Sequence, residues 1–436
     1  MPSISVTFKS YNLIFTYMTK IVILGLGTAG FAAALAIKKI DRKAKITIID
    51  KTCKLLHPCG LPYALEGLLN FKELEHEIAP MGIEFIKEDA KEIITKEKKV
   101  ITETIEVEYD KLIISTGSLP FTPPIKINSD IIHTVSKITD TKKLVKAKGN
   151  AIVIGAGAIG LEIAIALSKT CKVTVVDMLS SILPKAIDQD LSDIIVEKLN
   201  INFKLGKKLR SIQGNKVELE DETLKADVIV LAAGTRPNIR IADNAGITIG
   251  KHGIEVDDKM QTSVKDVFAA GDCAEILSLL SQEKYNPMIA TSAYKQGTVA
   301  GTNAVSRKAT YIGALSTFVT LLGDVEIAAT GFNEFFARQY GYDVIVGKSK
   351  STNKPSWFPG FEEITLKIIA DKKTKKVIGC QAVGKGASTY VNVVSTAISA
   401  SMSLQELSDV ELAYCPAVSQ CYNVMHQAVD LAVRKL

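Results

Sequence analysis

The chain has 436 residues, 47% of them hydrophobic, and a formal net charge of +6. That length exceeds one core and calls for two or three domains, and the apolar content excludes a disordered chain. The charge is small for the length and no dense Lys/Arg tract with interleaved aromatics occurs, which excludes a nucleic-acid groove; seven scattered cysteines without a CxxC spacing exclude a secreted disulfide framework and a cysteine metal knuckle.

In chain order, residues 1–17 come first. Their apolar piece, Tyr11 to Tyr17, is too short for a signal core or a membrane span, and the segment reads as a dispensable extension ahead of Met18. The first predicted unit is "KIVILGLGTAGFAAALAIKKIDRKAKITIID": a strand from Lys20, the loop Gly25-Leu26-Gly27-Thr28-Ala29-Gly30, a helix, and a strand ending at Asp50 and Lys51. Gly25 makes the tight turn, Gly27 admits a pyrophosphate to the backbone, and Gly30 permits close helix packing. Asp50 is placed to bind a ribose hydroxyl pair, and the helix N-terminus takes the phosphate charge. Next, "KLLHPCGLPYALEG" sets Cys59 in a turn stiffened by Pro58 and Pro62. "DKLIISTGSLPFTPP" then runs from an acid through a strand to Ser115, Thr116 and Gly117.

The long apolar run Ala151 to Leu167 contains Glu162 and three glycines, so it is a buried strand and helix, not a membrane span. It repeats the first unit as "NAIVIGAGAIGLEIAIALSKTCKVTVVD", with Gly155, Gly157, Ile159 and Gly160 in the loop and Asp177 at the end. Asp177 suits a free 2'-hydroxyl and repels a 2'-phosphate, and no arginine follows in "DMLSSILPK"; NADH is therefore expected, with NADPH the alternative. "ADVIVLAAGTRPN" carries a strand to Gly234. "VKDVFAAGDCAEI" brings Gly271 and then Asp272, whose carboxylate can reach a flavin ribityl hydroxyl. No metal site is expected, and a reducing cytoplasm suits the thiols.

The order GxGxxG, CGLPY, STGS, GxGxxG, AAGTRPN, FAAGD resembles the FAD-dependent pyridine nucleotide-disulfide oxidoreductase family over Lys20 to Leu436. Within it, the single-cysteine branch is most similar: coenzyme A disulfide reductases, NADH oxidases and peroxidases, and archaeal NAD(P)H sulfur oxidoreductases. The resemblance implies an α/β fold of two Rossmann-like dinucleotide-binding domains plus an α+β C-terminal dimerisation domain. The FAD domain would comprise 18–120 and 246–310, the NAD domain 121–245 and the dimerisation domain 311–436, in a homodimer with neither membrane nor nucleic acid as partner. It implies FAD and NADH as cofactors, coenzyme A as substrate or carrier, and a small disulfide, persulfide or polysulfide as acceptor. An NADH oxidase reducing oxygen is the alternative; a non-catalytic NADH-sensing flavoprotein is a third reading, against which an aimed thiol argues.

The resemblance also assigns residues. Cys59 matches the redox cysteine, with its thiolate favoured by a nearby helix N-terminus and by the flavin. Cys53 lies six positions earlier, outside the turn, and reads as structural. His57 is a candidate to stabilise the thiolate. Thr28 stands where peroxidases and water-forming oxidases carry a histidine, which argues against peroxide or four-electron oxygen reduction. Glu162 matches a glutamate near the nicotinamide. Lys38 and Lys39 match a basic pair that approaches coenzyme A phosphates, although the loop before Cys59 is shorter than in the bacterial reductases. In "AYCPAVS", Tyr414 matches a tyrosine that crosses the dimer and is a candidate proton donor. Phe358, in "WFPG", lacks the hydroxyl of a second family tyrosine, and Cys415 and Cys421 read as bystanders.

Overall fold

Residues 21–24 are buried on both faces, as a central parallel strand must be. In the computed structural model, which describes residues 18–78, 81–306 and 308–436, the strand Lys20–Leu24 lies between Lys45–Ile49 and Lys111–Ile114. The expected extension 1–17 lies outside the described residues. Ile83–Ile86 closes one side of this sheet and Val267–Ala269 the other, so a strand from far along the chain completes the first nucleotide unit. The helix Thr28–Ile40 covers the sheet and packs along the helix Ala290–Val305.

A second parallel sheet follows the same logic, in the order Ile132–His133, Val228–Leu231, Gly149–Ile154, Cys171–Val176, Asn202–Lys204. The helix Ala158–Ser168 lies on it. The two units are joined by a pair of antiparallel straps, Ser118–Pro120 against Thr235–Pro237, with the Arg236 guanidinium 4.4 Å from the Phe121 ring centre.

The third sheet is antiparallel, in the order Phe318–Leu322, Val325–Gly331, Val377–Gly384, Glu363–Asp371, Val344–Thr352. Its two central strands are buried on both faces. The period-2 alternation shows why. Ile364, Leu366, Ile368 and Ala370 meet the helices Ala387–Ser399 and Val424–Val433, while Ile327, Ala329 and Val383 on the other face join the core of the second nucleotide unit. No helix among the described residues is long and apolar enough to cross a membrane.

Candidate functional site

Both glycine loops have the same construction. Gly25 and Gly155 take φ of +96° and +115°, which a side chain would strain. A Cβ on Gly30 would strike the carbonyl oxygen of Gly25, and one on Gly160 that of Gly155. At Gly27 and Gly157 an added Cβ meets nothing in the chain. Protein packing therefore does not demand glycine there, whereas a pyrophosphate lying against the backbone would. Thr28 and Ala29 open the first helix, and Ile159, 48% exposed, lies in the first turn of the second.

The closing acids reach back to their loops. Asp50 accepts from the backbone N–H of Leu26 at 3.0 Å and, through its other oxygen, from Thr52 and Cys53. Asp177 accepts from Ala156 N–H at 2.7 Å and Leu179 N–H at 2.8 Å. Lys51 points outward and pairs with Asp89. Ser115 donates to the carbonyls of Leu24 and Gly25, Thr116 donates to the Asn238 carbonyl, and Asn238 N–H donates to Gly117. Gly234, at φ +110°, leads into the return strap. Gly271 N–H is held by Gln296, and the Asp272 carboxylate accepts from Ser118 at 3.0 Å. Burial raises the Asp272 carboxyl above its usual range, and the Ser118 bond offsets this only in part.

Cys59 sits on the single turn Pro58–Gly60, immediately before the short helix Leu61–Glu66. Leu61, Ala64 and Leu74 pin this segment, and a Cβ on Gly60 would press against the end of the Leu74 side chain. The thiol is exposed, and it is pushed up from its ordinary value by burial, then by the charges of Glu162 and Asp272. Among the chain's own groups, burial and these two carboxylates oppose the thiolate, and the helix that begins beside it has only six residues. Glu162, from the second glycine loop's helix, is half-buried and accepts from Thr320 Oγ1 at 2.6 Å. Tyr63, one turn beyond the thiol, is raised by burial, then by Glu162, Glu66 and Cys59.

The other expected residues have the following surroundings. His57 is exposed and stands edge-on to His76, with ring centres 5.2 Å apart, and donates no bond to Cys59. The Lys38 ammonium, expected to approach a phosphate, donates to the carbonyls of Ala44 at 2.9 Å, Gly82 at 3.2 Å and Arg42 at 3.5 Å, closing the end of its helix. Lys39 is exposed. Tyr414 is 50% exposed on the third domain, and among the described residues no hydrogen bond or ring contact within one chain joins it to the Cys59 segment. Cys53, at φ +54°, points its sulfur at the Asp50 carbonyl. Among the described residues no cluster of His, Cys, Asp or Glu is arranged to hold a metal ion. Sequence reasoning missed Tyr63, Ser118, Asn238, Gln296 and Thr320. Ser118 belonged to a recognised turn; Thr320 carried no local signal.

Two parallel-sheet units, each with a glycine loop and a closing acid, and a third antiparallel domain define a two-nucleotide oxidoreductase fold. The chain belongs to the pyridine nucleotide-disulphide oxidoreductase family, which residues 19–297 match, with residues 317–425 matching its dimerisation domain. That family uses FAD and NAD(P)H. The chain is 33% identical to the NADH oxidase of Methanocaldococcus jannaschii, over 95% of this chain and 99% of that one. It is 32% identical to the CoA-dependent NAD(P)H sulfur oxidoreductase of Pyrococcus furiosus, over 91% and 95% of the two chains. Among solved structures, the NAD-dependent persulfide reductase from A. fulgidus superposes with a TM-score of 0.91 at 30% identity, covering 95% of this chain and 83% of that one.

Proposed function

We propose that this chain is an FAD-dependent NAD(P)H oxidoreductase that reduces the sulfur–sulfur bond of a small disulfide, persulfide or polysulfide through Cys59. The observation that carries the reading is the position of that thiol. It is exposed on a rigid turn, where a carboxylate of the first nucleotide unit, Asp272, and one of the second, Glu162, both bear on its ionisation. The open cradles at Gly27 and Gly157 fit the two cofactors. Gly25 to Gly30, Asp50, the turn Ser115 to Gly117 and Asp272 would hold FAD; Gly155 to Gly160 and Asp177 would hold NADH, for which the acid is suited and a 2'-phosphate is not.

Bound flavin supplies the relay that carries two electrons from NADH to sulfur. The Cys59 thiolate bonds to the near sulfur of the acceptor while the acceptor's S–S bond breaks, and the far sulfur leaves as a thiolate or hydrosulfide that takes a proton. Two electrons from NADH then cleave the new S–S bond, release the second thiol and restore the Cys59 thiolate. Pro58 and Pro62 keep the sulfur aimed. Tyr414 is the proposed proton donor, delivered by a second copy of the chain through the dimerisation domain, and coenzyme A is the proposed carrier, with Lys39 free to meet its phosphates. The proposed division is an FAD domain of 18–120 and 246–310, an NAD domain of 121–245 and a dimerisation domain of 311–436. Seven free thiols suit a reducing cytoplasm.

A second reading, electron transfer to oxygen, is favoured by the relative named NADH oxidase. One experiment separates them: steady-state kcat/KM with NADH for coenzyme A disulfide, polysulfide and oxygen, in wild type and Cys59→Ser. Sulfur reduction should fall by roughly a thousandfold or more, as removal of a covalent nucleophile does, while NADH still reduces the flavin. Wild-type sulfur turnover in Cys59→Ser, or oxygen as the best acceptor by kcat/KM, would sink the proposal in favour of the second reading.

A further inference from the structure

The strand Phe318–Leu322 begins the third domain, yet its buried face turns toward the second nucleotide unit: Leu322 is fully buried in that unit's core and Thr320 is 3% exposed. The Thr320 hydroxyl donates to Glu162 Oε1 at 2.6 Å, the separation of a charge-assisted bond. Valine fills the same space as threonine, so packing alone does not call for the hydroxyl. Glu162 in turn projects from a helix that packs on the Leu61–Glu66 helix beside Cys59. Three domains thus meet here: Thr320 bonds Glu162, and the helix that carries Glu162 packs on the helix that follows Cys59.

We propose that Thr320 is a positioning residue whose hydroxyl holds Glu162 as a charged carboxylate in the wall beside Cys59, so that the third domain sets the reactivity of the thiol. The inference rests on the reading of Cys59 as the working sulfur and adds a control on it. Burial pushes the Glu162 carboxyl upward, and the Thr320 bond is the influence that opposes this. A charged Glu162 pushes the Cys59 thiol up, after burial and ahead of Asp272. The other titratable groups about them are Tyr63 on the thiol helix, Glu66, whose charge is met by Lys169 at 2.9 Å, and His57 two residues before the sulfur. None of these replaces a hydrogen bond to Glu162. Without Thr320 as donor, Glu162 should take a proton nearer neutral pH, lose its repulsion of the thiolate and leave Cys59 more ionised.

The test is alkylation of Cys59 by iodoacetamide in the FAD-loaded, thiol-reduced full chain from pH 5 to 9, read on the Cys59 peptide by mass spectrometry so that Cys415 and Cys421 do not interfere. Thr320→Val should move the pH midpoint downward and raise the rate at pH 7 by roughly threefold or more. Thr320→Ala, which also lacks the hydroxyl, should do the same, and Thr320→Ser should restore the wild-type profile. Glu162→Gln should shift the midpoint at least as far, and adding Thr320→Val to it should change nothing more. An unmoved profile in both Thr320→Val and Thr320→Ala overturns the proposal, as does a Thr320→Val effect that persists in the Glu162→Gln background. Because alkylation requires no electron acceptor, failure of the proposed activity would show in turnover and leave this readout intact.

Discussion

Asp266 shows how one charged residue secures a seam. It stands immediately before the strand Val267–Ala269, where the distant segment rejoins the first sheet, and is 7% exposed. Lys98 lies 2.9 Å from one carboxylate oxygen and Lys111, on the neighbouring strand, bonds the other. Burial works against the charge, but the two lysines outweigh it and hold the carboxyl at about 2. An unfolded aspartate titrates near about 3.9, so the bond network contributes about 2 kcal/mol above that pH, and the contribution disappears as pH falls toward 2. Asp266→Asn keeps the backbone, because asparagine tolerates the φ of +69° found there. The substitution should lower thermal stability by about 2 kcal/mol at pH 7 and by about half as much at pH 3, measured as unfolding of the FAD-loaded protein at both values. An equal loss at both would mean that the residue acts by shape and not by charge.

At the scale of elements, the close pair of helices Thr28–Ile40 and Ala290–Val305 rests on two small residues one turn apart. A Cβ on Gly297 would strike the Ala29 carbonyl oxygen, and one on Gly301 that of Ala33. Gly297→Ala should therefore force the helices apart, and the overpacking, about 1–3 kcal/mol, should outweigh the gain of just under about 1 kcal/mol from alanine's helix preference. Since Ala29 opens the first glycine helix, flavin retention should weaken with it; unchanged stability and FAD content after gel filtration would refute the packing argument. The contrast with Gly25 and Gly27 explains what was legible beforehand. Those glycines sit directly between a strand and a helix, with an acid closing the next strand at a regular interval, so spacing alone exposes them. Gly297 answers to a backbone 268 positions earlier, as 297 − 29 shows, and in sequence it is only a glycine inside a helix. Likewise the thiol turn was readable from its prolines, but the carboxylates that push the thiol up come from two other segments. Lys38 shows the reverse case: in sequence it is one of a basic pair at a helix end, and the carbonyls it meets come from segments beyond that helix.

At the scale of the whole molecule, the third domain is held to the second by an apolar face with one buried cation in it. Lys367 is 5% exposed and lies 2.8 Å from Asp188, 3.2 Å from Asp190 and 3.1 Å from Glu334. Gln381 adds a bond to Asp188 at 2.7 Å, and Lys348 meets Asp190. Burial opposes the Lys367 charge, yet Asp188 and Asp190, with Glu334, raise the ammonium above the usual lysine range. Asp190 and Glu334 are lowered despite burial, the first by Lys348 and Lys367, the second by Arg338 and Lys367. The signs then determine the pH window. The lysine's contribution is full below its ordinary value and is lost only as pH rises through the raised one. The carboxylates contribute above their ordinary range and lose that contribution as pH falls through the lowered values. Lys367→Met fits the slot by length but leaves three carboxylates around an uncharged stem, which should cost about 3–5 kcal/mol near pH 7. The deficit should narrow toward pH 4, where protonation relieves the repulsion in the variant while wild type begins to lose its pairs. Because Glu162 is reached from the same domain through Thr320, the variant should also broaden the pH profile of Cys59 alkylation before it unfolds. Thermal unfolding and peptide-resolved alkylation between pH 4 and 8 measure both effects. A deficit constant with pH would show that Lys367 fills space between the domains without binding them by charge.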